Sequence, residues 1–294
     1  MSRQVSPSTG QVYGSQRVTR LWGISRATIY RHRLEPIARK KPGPLGAMSD
    51  EDLVAAIRRL LQDSPFHGEG HRKLWARLRF AGIRTSRRRV LRLMREHDLL
   101  APQRVGRPRG PRAHDGTITT ERVGLMWGTD LTSVMTGEGQ AAVFVAVDHC
   151  SAECVGVHAS RRADRFGALE PVRQAVRERF GAFAEGVAAG LALRHDHGSQ
   201  YLSHDFQAES RFLGITSSPA FVREPEGNGC AERFIRTLKE NLLWVRPFAT
   251  VEELRLVLQA FKELHNRTWI IARHGYQTPA QVRAGQIAAM PMAA

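Results

Sequence analysis

The 294-residue sequence has few cysteines and no long apolar run. Its three cysteines, Cys150, Cys154 and Cys230, are an odd number, and the first two have no second pair to match them. This excludes a disulfide framework, disfavours a zinc site and indicates a reducing compartment. No stretch approaches the roughly 20 apolar residues that a membrane helix needs, and the first residues lack an apolar signal segment. We therefore expect a cytoplasmic protein without a membrane partner.

Acidic residues are scarce in the first part of the chain. Residues 1–116 contain 25 Lys and Arg but only 9 Asp and Glu, whereas residues 117–294 contain 19 of each class. The whole formal charge of +16 therefore belongs to the N-terminal part. Positive charge concentrated in this way is typical of a protein that binds a polyanion, and Arg suits contacts with phosphates and base edges.

The spacing of apolar residues predicts a helical hairpin over residues 16–33. Leu21 contributes to the apolar face of its first helix, and Ser25 is a suitable N-cap for the second. Ile29 and Tyr30 are expected to point inward. In a helix–turn–helix domain the second helix enters the major groove of DNA. The side chains predicted to face DNA from that helix are Arg26, Thr28, Arg31 and Arg33.

A second basic hairpin is predicted over residues 71–100, after a helix at 49–63 that Ser49 caps. Ser86 caps its second helix, from which Arg87, Arg88, Arg89 and Arg92 are predicted to contact DNA. A run of arginines on a helix is usually only a solvated face. Two hairpins in tandem, within the segment that has all the excess charge, favour DNA contact instead.

The remaining sequence predicts an α/β domain. Strands are expected within 124–134, 140–160, 191–193 and 215–219, and helices at 165–180, 204–214, 228–244 and 250–268. Consecutive strands followed by alternating helices and strands indicate a mixed sheet with helices packed on its faces. The resulting predicted domains are a helix–turn–helix domain at 1–33, a linker at 34–48, a second such domain at 49–100, a basic linker at 101–116, a catalytic core at 117–248 and a C-terminal helical extension at 249–294.

Three carboxylates are candidates for a common site. Asp130 and Asp196 are expected at strand ends, and Glu232 lies in the first turn of a helix that follows a Gly-rich loop. Three such groups can hold two divalent cations roughly 3.5–4 Å apart, and Mg²⁺ prefers oxygen ligands. A single acid at a helix start also has an ordinary explanation, since it interacts favourably with the helix dipole. The hypothesis therefore depends on the set.

Other residues near these acids have alternative roles. Asp148 is a rival metal ligand near a strand end. His195 and His197, with Ser199 and Gln200, flank Asp196, and we expect them to shape the turn through hydrogen bonds rather than to take part in catalysis.

The stretches WGTD, RHDHGSQY and GNGCAERFIRTLKEN, with 65 and then 35 residues between their acids, resemble the integrase-core DDE transposases of bacterial insertion sequences. The resemblance spans about 124–285, with the third insertion-sequence family, related to retroviral integrases, the most similar. It implies a ribonuclease-H-like core and assigns the catalytic, metal-binding triad to Asp130, Asp196 and Glu232. It also implies two Mg²⁺ or Mn²⁺ ions, cleavage of element ends by water, and strand transfer by the freed 3′-hydroxyl without a phosphoenzyme.

The resemblance further implies double-stranded DNA partners, namely terminal inverted repeats and target DNA, and a homo-oligomer acting at the bacterial nucleoid. Arg236 and Lys239 share a helix face with Glu232, so they are predicted to bind the strand being cut, and Asn228 to permit close approach to it. The sequence departs from relatives in three ways: it has no sustained heptad repeat, no His/Cys zinc domain, and Gly227 where an acid is common.

Two other functions remain open at this point. A catalytically silent DNA-binding regulator derived from a transposase is disfavoured by the intact triad. A ribonuclease H-type nuclease that cuts RNA in hybrids would leave the tandem basic hairpins without a purpose.

Overall fold

A computed structural model of the chain describes residues 3–33, 48–102, 118–220 and 225–289. The chain divides into two compact units, Met1–Ala47 and Met48–Ala294. Both predicted linkers lie almost wholly outside the described residues. Among the described helices, none is long and apolar enough to cross a bilayer.

The first unit contains the predicted hairpin, with helices α1 (Gly14–Trp22) and α2 (Arg26–Arg33). Ser25 caps α2, since its Oγ accepts a hydrogen bond from the Thr28 N–H at 3.2 Å. The predicted packing of Leu21 and Tyr30 was wrong, because Leu21 is 82% exposed and Tyr30 is also exposed. Two short helices give each other too little apolar surface to cover both side chains. The side chain of Ile29 lies outside the described residues.

The second unit begins with a three-helix segment, 48–102, that has its own core. Its helices are α3 (Asp50–Gln62), α4 (His71–Phe80) and α5 (Arg87–Glu96). Ser49 and Ser86 cap α3 and α5 as predicted, each accepting a backbone N–H three residues on. The residues buried between the three helices are Leu53, Val54, Ile57, Leu74, Leu78, Val90, Leu93 and Met94.

A five-stranded mixed sheet in the order β3-β2-β1-β4-β5 forms the rest of the second unit, which confirms the predicted α/β class. The strands are β1 (Met126–Thr136), β2 (Gly139–Asp148), β3 (Cys154–Ser160), β4 (Ala192–His195) and β5 (Thr216–Pro219). The first three form an antiparallel meander. The last two run parallel to β1 and are reached through helical crossovers.

Helices cover both faces of the sheet, so β2 is apolar on both sides. One face packs against α6 (Arg165–Phe180) and α8 (His204–Phe212). A short helix, α7 (Ser199–Leu202), follows β4 and precedes α8. The other face packs against α9 (Gly229–Leu238) and α10 (Val251–Thr268).

Helix α10 lies within the core rather than beyond it. Its buried residues Leu254, Leu258 and Phe261 share one cluster with the central strands. The predicted boundary at 248 therefore falls inside the packed domain. A last helix, α11 (Pro279–Ala289), follows α10.

The three-helix segment is fastened to this core by Phe66, which follows α3. Phe66 is 3% exposed and packs edge-on against Trp269 at 4.7 Å and Phe261 at 6.4 Å, measured between ring centroids. The adjacent His67 N–H donates to Asn241 Oδ1 at 2.7 Å. Segment 48–102 and the sheet therefore form one body.

Candidate active site

The strand register places Asp130 beside Asp196. Asp130 lies in the middle of β1, not at its end as predicted, whereas Asp196 immediately follows β4 as predicted. Gly128 of β1 pairs with Arg194 of β4. Each aspartate lies two residues further along its strand, so the two occupy the same level and face of neighbouring strands, which are about 4.8 Å apart.

The start of α9 is held against the same part of β1. The Asn228 amide Nδ2 donates to the backbone oxygen of Thr129 at 2.9 Å. A Cβ on Gly128 would lie 2.6 Å from Asn228 Oδ1 and 2.7 Å from His149 Nε2, so the close approach requires glycine there. Glu232 follows one helical turn after Asn228, and its charge acts on Asp130.

Asn228 itself has an internal role in this structure. It is 4% exposed, and its contact is with the backbone beside Asp130. Asn228 was predicted to permit close approach to DNA, and its burial points instead to a role in positioning α9.

The electrostatics of Asp130 show that the three acids share one field. Burial, followed by the charges of Asp196 and Glu232, raises the pKa of Asp130 to about 6. The Leu131 N–H, at 2.8 Å from Oδ1, and the charge of Lys239 act in the opposite direction. Like charges held together disfavour the ionised form, which a bound cation would favour.

Asp196 is oriented by the turn that follows β4. Its Oδ1 accepts the Gly198 N–H at 2.8 Å. The neighbouring His195 is fully buried, with Nδ1 2.6 Å from the backbone oxygen of Asp196 and Nε2 2.8 Å from Ser217 Oγ. Burial lowers the pKa of His195, so the neutral ring donates one of these hydrogen bonds and accepts the other. This confirms the predicted role of His195 in shaping the turn.

The donor set fits a hard divalent cation, although the carboxylates are not closed around one. Within the described ranges, no three His, Cys, Asp or Glu side chains are gathered closely enough to hold a metal ion. The three acids offer only oxygen, the ligand type that Mg²⁺ and Mn²⁺ prefer. Burial and the nearby carboxylates raise the pKa of Asp130, and a bound cation would favour its ionised form against both effects.

Asp148, the rival ligand, is used by the fold. It is buried, and its Oδ1 accepts the N–H groups of Cys150 and Ser151 at 3.0 and 2.8 Å. Its Oδ2 accepts the Gly124 N–H at 2.8 Å. Both oxygens therefore hold turns at the end of the sheet.

Arg194 is a residue near the site that sequence reasoning missed. It is 5% exposed in β4, and its Nη1 donates to Ser218 Oγ at 3.1 Å. A Cβ on Gly227 would lie 2.5 Å from Arg194 Nη2. This explains the glycine at 227, because a side chain there would displace the guanidinium. The sequence feature that could have identified Arg194 is the presence of a charged residue within a short, otherwise apolar strand.

The arginines of α5 differ in their availability. Arg89 Nε donates to Asp50 Oδ1 at 2.8 Å, and Arg92 Nη2 lies 2.6 Å from Asp50 Oδ2. Arg87 lies over the Trp75 ring, and Arg88 is exposed. Arg89 and Arg92 therefore hold α5 against α3, and DNA contact by α5 stays a prediction.

The remaining predicted DNA contacts are exposed, half-buried or outside the described residues. Arg26 is exposed, and Thr28 Oγ1 lies 2.9 Å from Ser25 Oγ. The side chains of Arg31 and Arg33 are not among those described. On α9 and the turn after it, Arg236 pairs with Glu240 at 3.1 Å, and Lys239 acts on Asp130.

Comparison with known proteins identifies both parts of the second unit. Two integrase core domain models match residues 120–225 and 213–279, and an HTH-like domain model matches 49–107. Transposase InsD for insertion element IS2-9 of Escherichia coli K12 is 25% identical over 295 residues, covering 93% of this chain and 94% of that protein.

Among solved structures, the HTLV-2 integrase catalytic core in complex with magnesium gives a TM-score of 0.42 at 17% identity, covering 55% of this chain and 98% of that one. The simian T-cell lymphotropic virus intasome in complex with PP2A regulatory subunit B56 gamma gives 0.48 at 17% identity, covering 84% and 76%.

An integrase core that follows an HTH-like segment is the organisation of a DNA-binding polynucleotidyl transferase. The match to insertion-element transposases extends over nearly the whole length of both proteins. Together with the sheet order, these matches confirm the resemblance drawn from the sequence. The chain therefore contains an integrase core domain preceded by an HTH-like domain, and it is similar over nearly its whole length to transposases of bacterial insertion elements.

Proposed function

We propose that this transposase cleaves DNA at the ends of its insertion sequence and joins the freed 3′-hydroxyls to target DNA, with Asp130, Asp196 and Glu232 as the catalytic triad. The observation that supports this most directly is that the register of β1 with β4 brings Asp130 and Asp196 onto neighbouring strands, with the start of α9 held against β1. Burial together with the charges of Asp196 and Glu232 raises the pKa of Asp130 to about 6. A fold that only needed surface charge would gain nothing from gathering acids at a half-buried strand position.

The three carboxylates would hold two Mg²⁺ or Mn²⁺ ions, which when bound activate a hydroxyl nucleophile and stabilise the leaving oxygen of a phosphodiester. The residues of the chain would do the positioning. Asn228 and Gly128 fix the start of α9 against β1. From this position Glu232 would reach the metal ions held by the two aspartates. Lys239 and Arg236 present positive charge along the same face to the phosphates of the strand being cut.

The DNA partners we propose are the terminal inverted repeats of the element and a target duplex. The exposed arginines of the two helical hairpins would bind the repeats. Reaction at two element ends requires at least two active sites, so we propose that the protein acts as a dimer or larger homo-oligomer on DNA at the nucleoid.

The assignment is tested with Asp196→Asn in a plasmid that has the element's own flanking sequences around a marker. The variant keeps the shape of the side chain but loses its charge, so cleavage and joining should fall by about three orders of magnitude or more. Binding to the flanking DNA should change by less than about twofold. Asp205→Asn, on α8 and paired with Arg165, is the matched control and should stay active. If Asp196→Asn still joins ends at a tenth of the wild-type rate or faster, Asp196 is not a catalytic residue and the proposed triad is wrong.

A further inference from the structure

A cavity of about 220 Å³ lies between the three-helix segment and the integrase core. Its floor is apolar and is formed by Phe234, Trp269, Ile270 and Ile271. Three cationic side chains line it: Lys73 from α4, Arg233 from α9 and Arg273 from the 3₁₀ turn Ala272–His274. Lys73 precedes Arg233 by 160 positions, and Arg233 precedes Arg273 by 40, so the fold brings positive charge from distant parts of the chain to one cavity.

The part of the cavity wall formed by described residues contains no Asp or Glu. His265 also lines it, but burial lowers its pKa to about 4, so the ring is neutral. The ion pairs found within the described ranges include neither Arg233 nor Arg273. Other arginines of this unit are paired, such as Arg173 with Glu209 and Arg179 with Glu153.

The guanidinium of Arg273 is held in place rather than left to move freely. Its Nη2 donates to the backbone oxygens of His149 and Cys150 at 3.2 and 2.9 Å. Its Nε donates to His274 Nε2 at 3.0 Å. An arginine fixed in this way loses little further entropy on binding an anion, which favours a defined site over diffuse attraction.

The cavity also lies next to Glu232, one of the three proposed catalytic acids. Arg233 directly follows Glu232 on α9, and its exposed side chain lies about 100° around the helix from that carboxylate. Lys73 belongs to the HTH-like segment, and its ammonium lies over the ring of Trp269, a core residue. The cavity therefore spans the junction between the segment predicted to hold DNA and the site predicted to cut it.

We propose that this cavity binds a phosphodiester group of the DNA backbone, so that one strand is held between the three-helix segment and the triad. This rests on the proposed function and adds a contact to it. Arg233 offers a planar donor pair suited to phosphate oxygens, and Lys73 adds a point charge. The nitrogens of Arg273 already donate within the protein, so this side chain contributes fixed positive charge beside them. The apolar floor suits the deoxyribose that accompanies the phosphate, and the low local dielectric strengthens each charge contact.

The test measures binding of the full-length protein to a 30-base-pair duplex of mixed sequence, in EDTA, across a range of NaCl concentrations. Arg233→Gln should lower the slope of log affinity against log salt by about 0.9, since one phosphate contact is lost. Affinity at 100 mM salt should fall about three- to tenfold. Lys73→Gln should have a similar effect. Arg233→Lys keeps the charge and should retain the wild-type slope.

The control removes one positive charge elsewhere. Arg211 lies on α8, at the opposite face of the sheet, and Arg211→Gln should leave the slope unchanged. Equal slopes for wild type and Arg233→Gln, with melting temperatures that show both are folded, would overturn the proposal. A rise in melting temperature with inorganic phosphate that Arg233→Gln abolishes, without any change in the DNA slope, would assign the cavity to a free phosphate and also overturn it. Because the assay needs neither metal nor catalysis, a negative result leaves the triad assignment intact.

Discussion

Two aspartates in the second unit have their pKa shifted in opposite directions. The side chains of Arg92 and Arg89 donate hydrogen bonds to Asp50 and lower its pKa to about 2. Burial, together with neighbouring acids, raises the pKa of Asp130 to about 6. Asp50 lies among cations in the three-helix segment, whereas Asp130 is largely buried in the central strand β1 and has other carboxylates near it.

The difference separates a residue that serves the fold from one that we propose serves catalysis. Asp50 joins the starts of α3 and α5, and its ionised form is stabilised by folding. Asp130 is ionised at neutral pH only at a cost to folding, which a protein tolerates where function requires it. The pKa direction thus distinguishes two acids that the sequence presents as the same residue type.

Separating the two regions should have the largest effect. Phe66→Ala removes the ring that joins segment 48–102 to the core, and it should lower the free energy of unfolding by about 3–4 kcal/mol. Urea denaturation measures the loss. Phe80→Ala is the matched control, because Phe80 is exposed and its removal should change stability by less than about 0.5 kcal/mol. A loss under about 1 kcal/mol for Phe66→Ala would mean that the segment is held mainly by other contacts.

Asp130→Asn should abolish catalysis and yet stabilise the metal-free protein by about 2 kcal/mol at pH 7. The pKa of Asp130 is higher in the folded than in the unfolded protein, so between about pH 4 and pH 6 the folded wild type binds a proton that the unfolded chain does not. The contribution of Asp130 to the free energy of unfolding is therefore greatest below about pH 4 and is lost as the pH rises through 6. Urea denaturation in EDTA at pH 4, 5 and 7 should show the two proteins diverging as the pH rises. A constant difference across this range would contradict the raised pKa.

Asp50→Asn should act in the opposite direction and by less. The Asp50 side chain is 33% exposed, so solvent screening limits the expected loss to about 1 kcal/mol at pH 7. The folded pKa is lowered, so the contribution is present above about pH 4 and is lost as the pH falls towards 2. Wild type and variant should therefore converge only in strong acid, as measured by thermal melts between pH 2 and 7. Divergence that increases as the pH falls would contradict this assignment.

The smallest effect on stability is expected at Arg88, which is exposed on α5. Arg88→Ala should change stability by less than about 0.5 kcal/mol and lower the salt slope of DNA binding by about 0.9. Arg89→Ala, next to it, should instead cost about 1 kcal/mol of stability because Asp50 loses a partner. If both variants lower the salt slope equally, Arg89 exchanges its ion pair for DNA.

Features with local causes were predictable from the sequence. Ser49 and Ser86 cap helices because a hydroxyl accepts a nearby backbone N–H, which needs no distant partner. The period of the apolar residues likewise gave the helices and strands of the core. The three acids were found because their flanking residues resemble a known family, and their spacing along the chain is part of that resemblance.

Features that depend on distant partners were not predictable. Leu21 has an apolar pattern, but nothing in its own unit covers it. Asn228 is polar and lies in a Gly-rich loop, yet Thr129, 99 residues away, makes it an internal contact. Arg89 resembles its neighbour Arg88 in sequence, and only the approach of Asp50 distinguishes them.

The sequence by itself determined the kinds of element and the charge asymmetry between the two parts of the chain, and it proposed the three acids, because composition, period and flanking residues are local properties. Only the tertiary structure decided which acids meet acids and which meet cations. The register of β1 with β4 puts Asp130 level with Asp196, and the packing of α3 on α5 puts Asp50 between two arginines. A carboxylate's pKa depends on the charges and solvent within a few ångströms of it, and those neighbours come from distant parts of the chain.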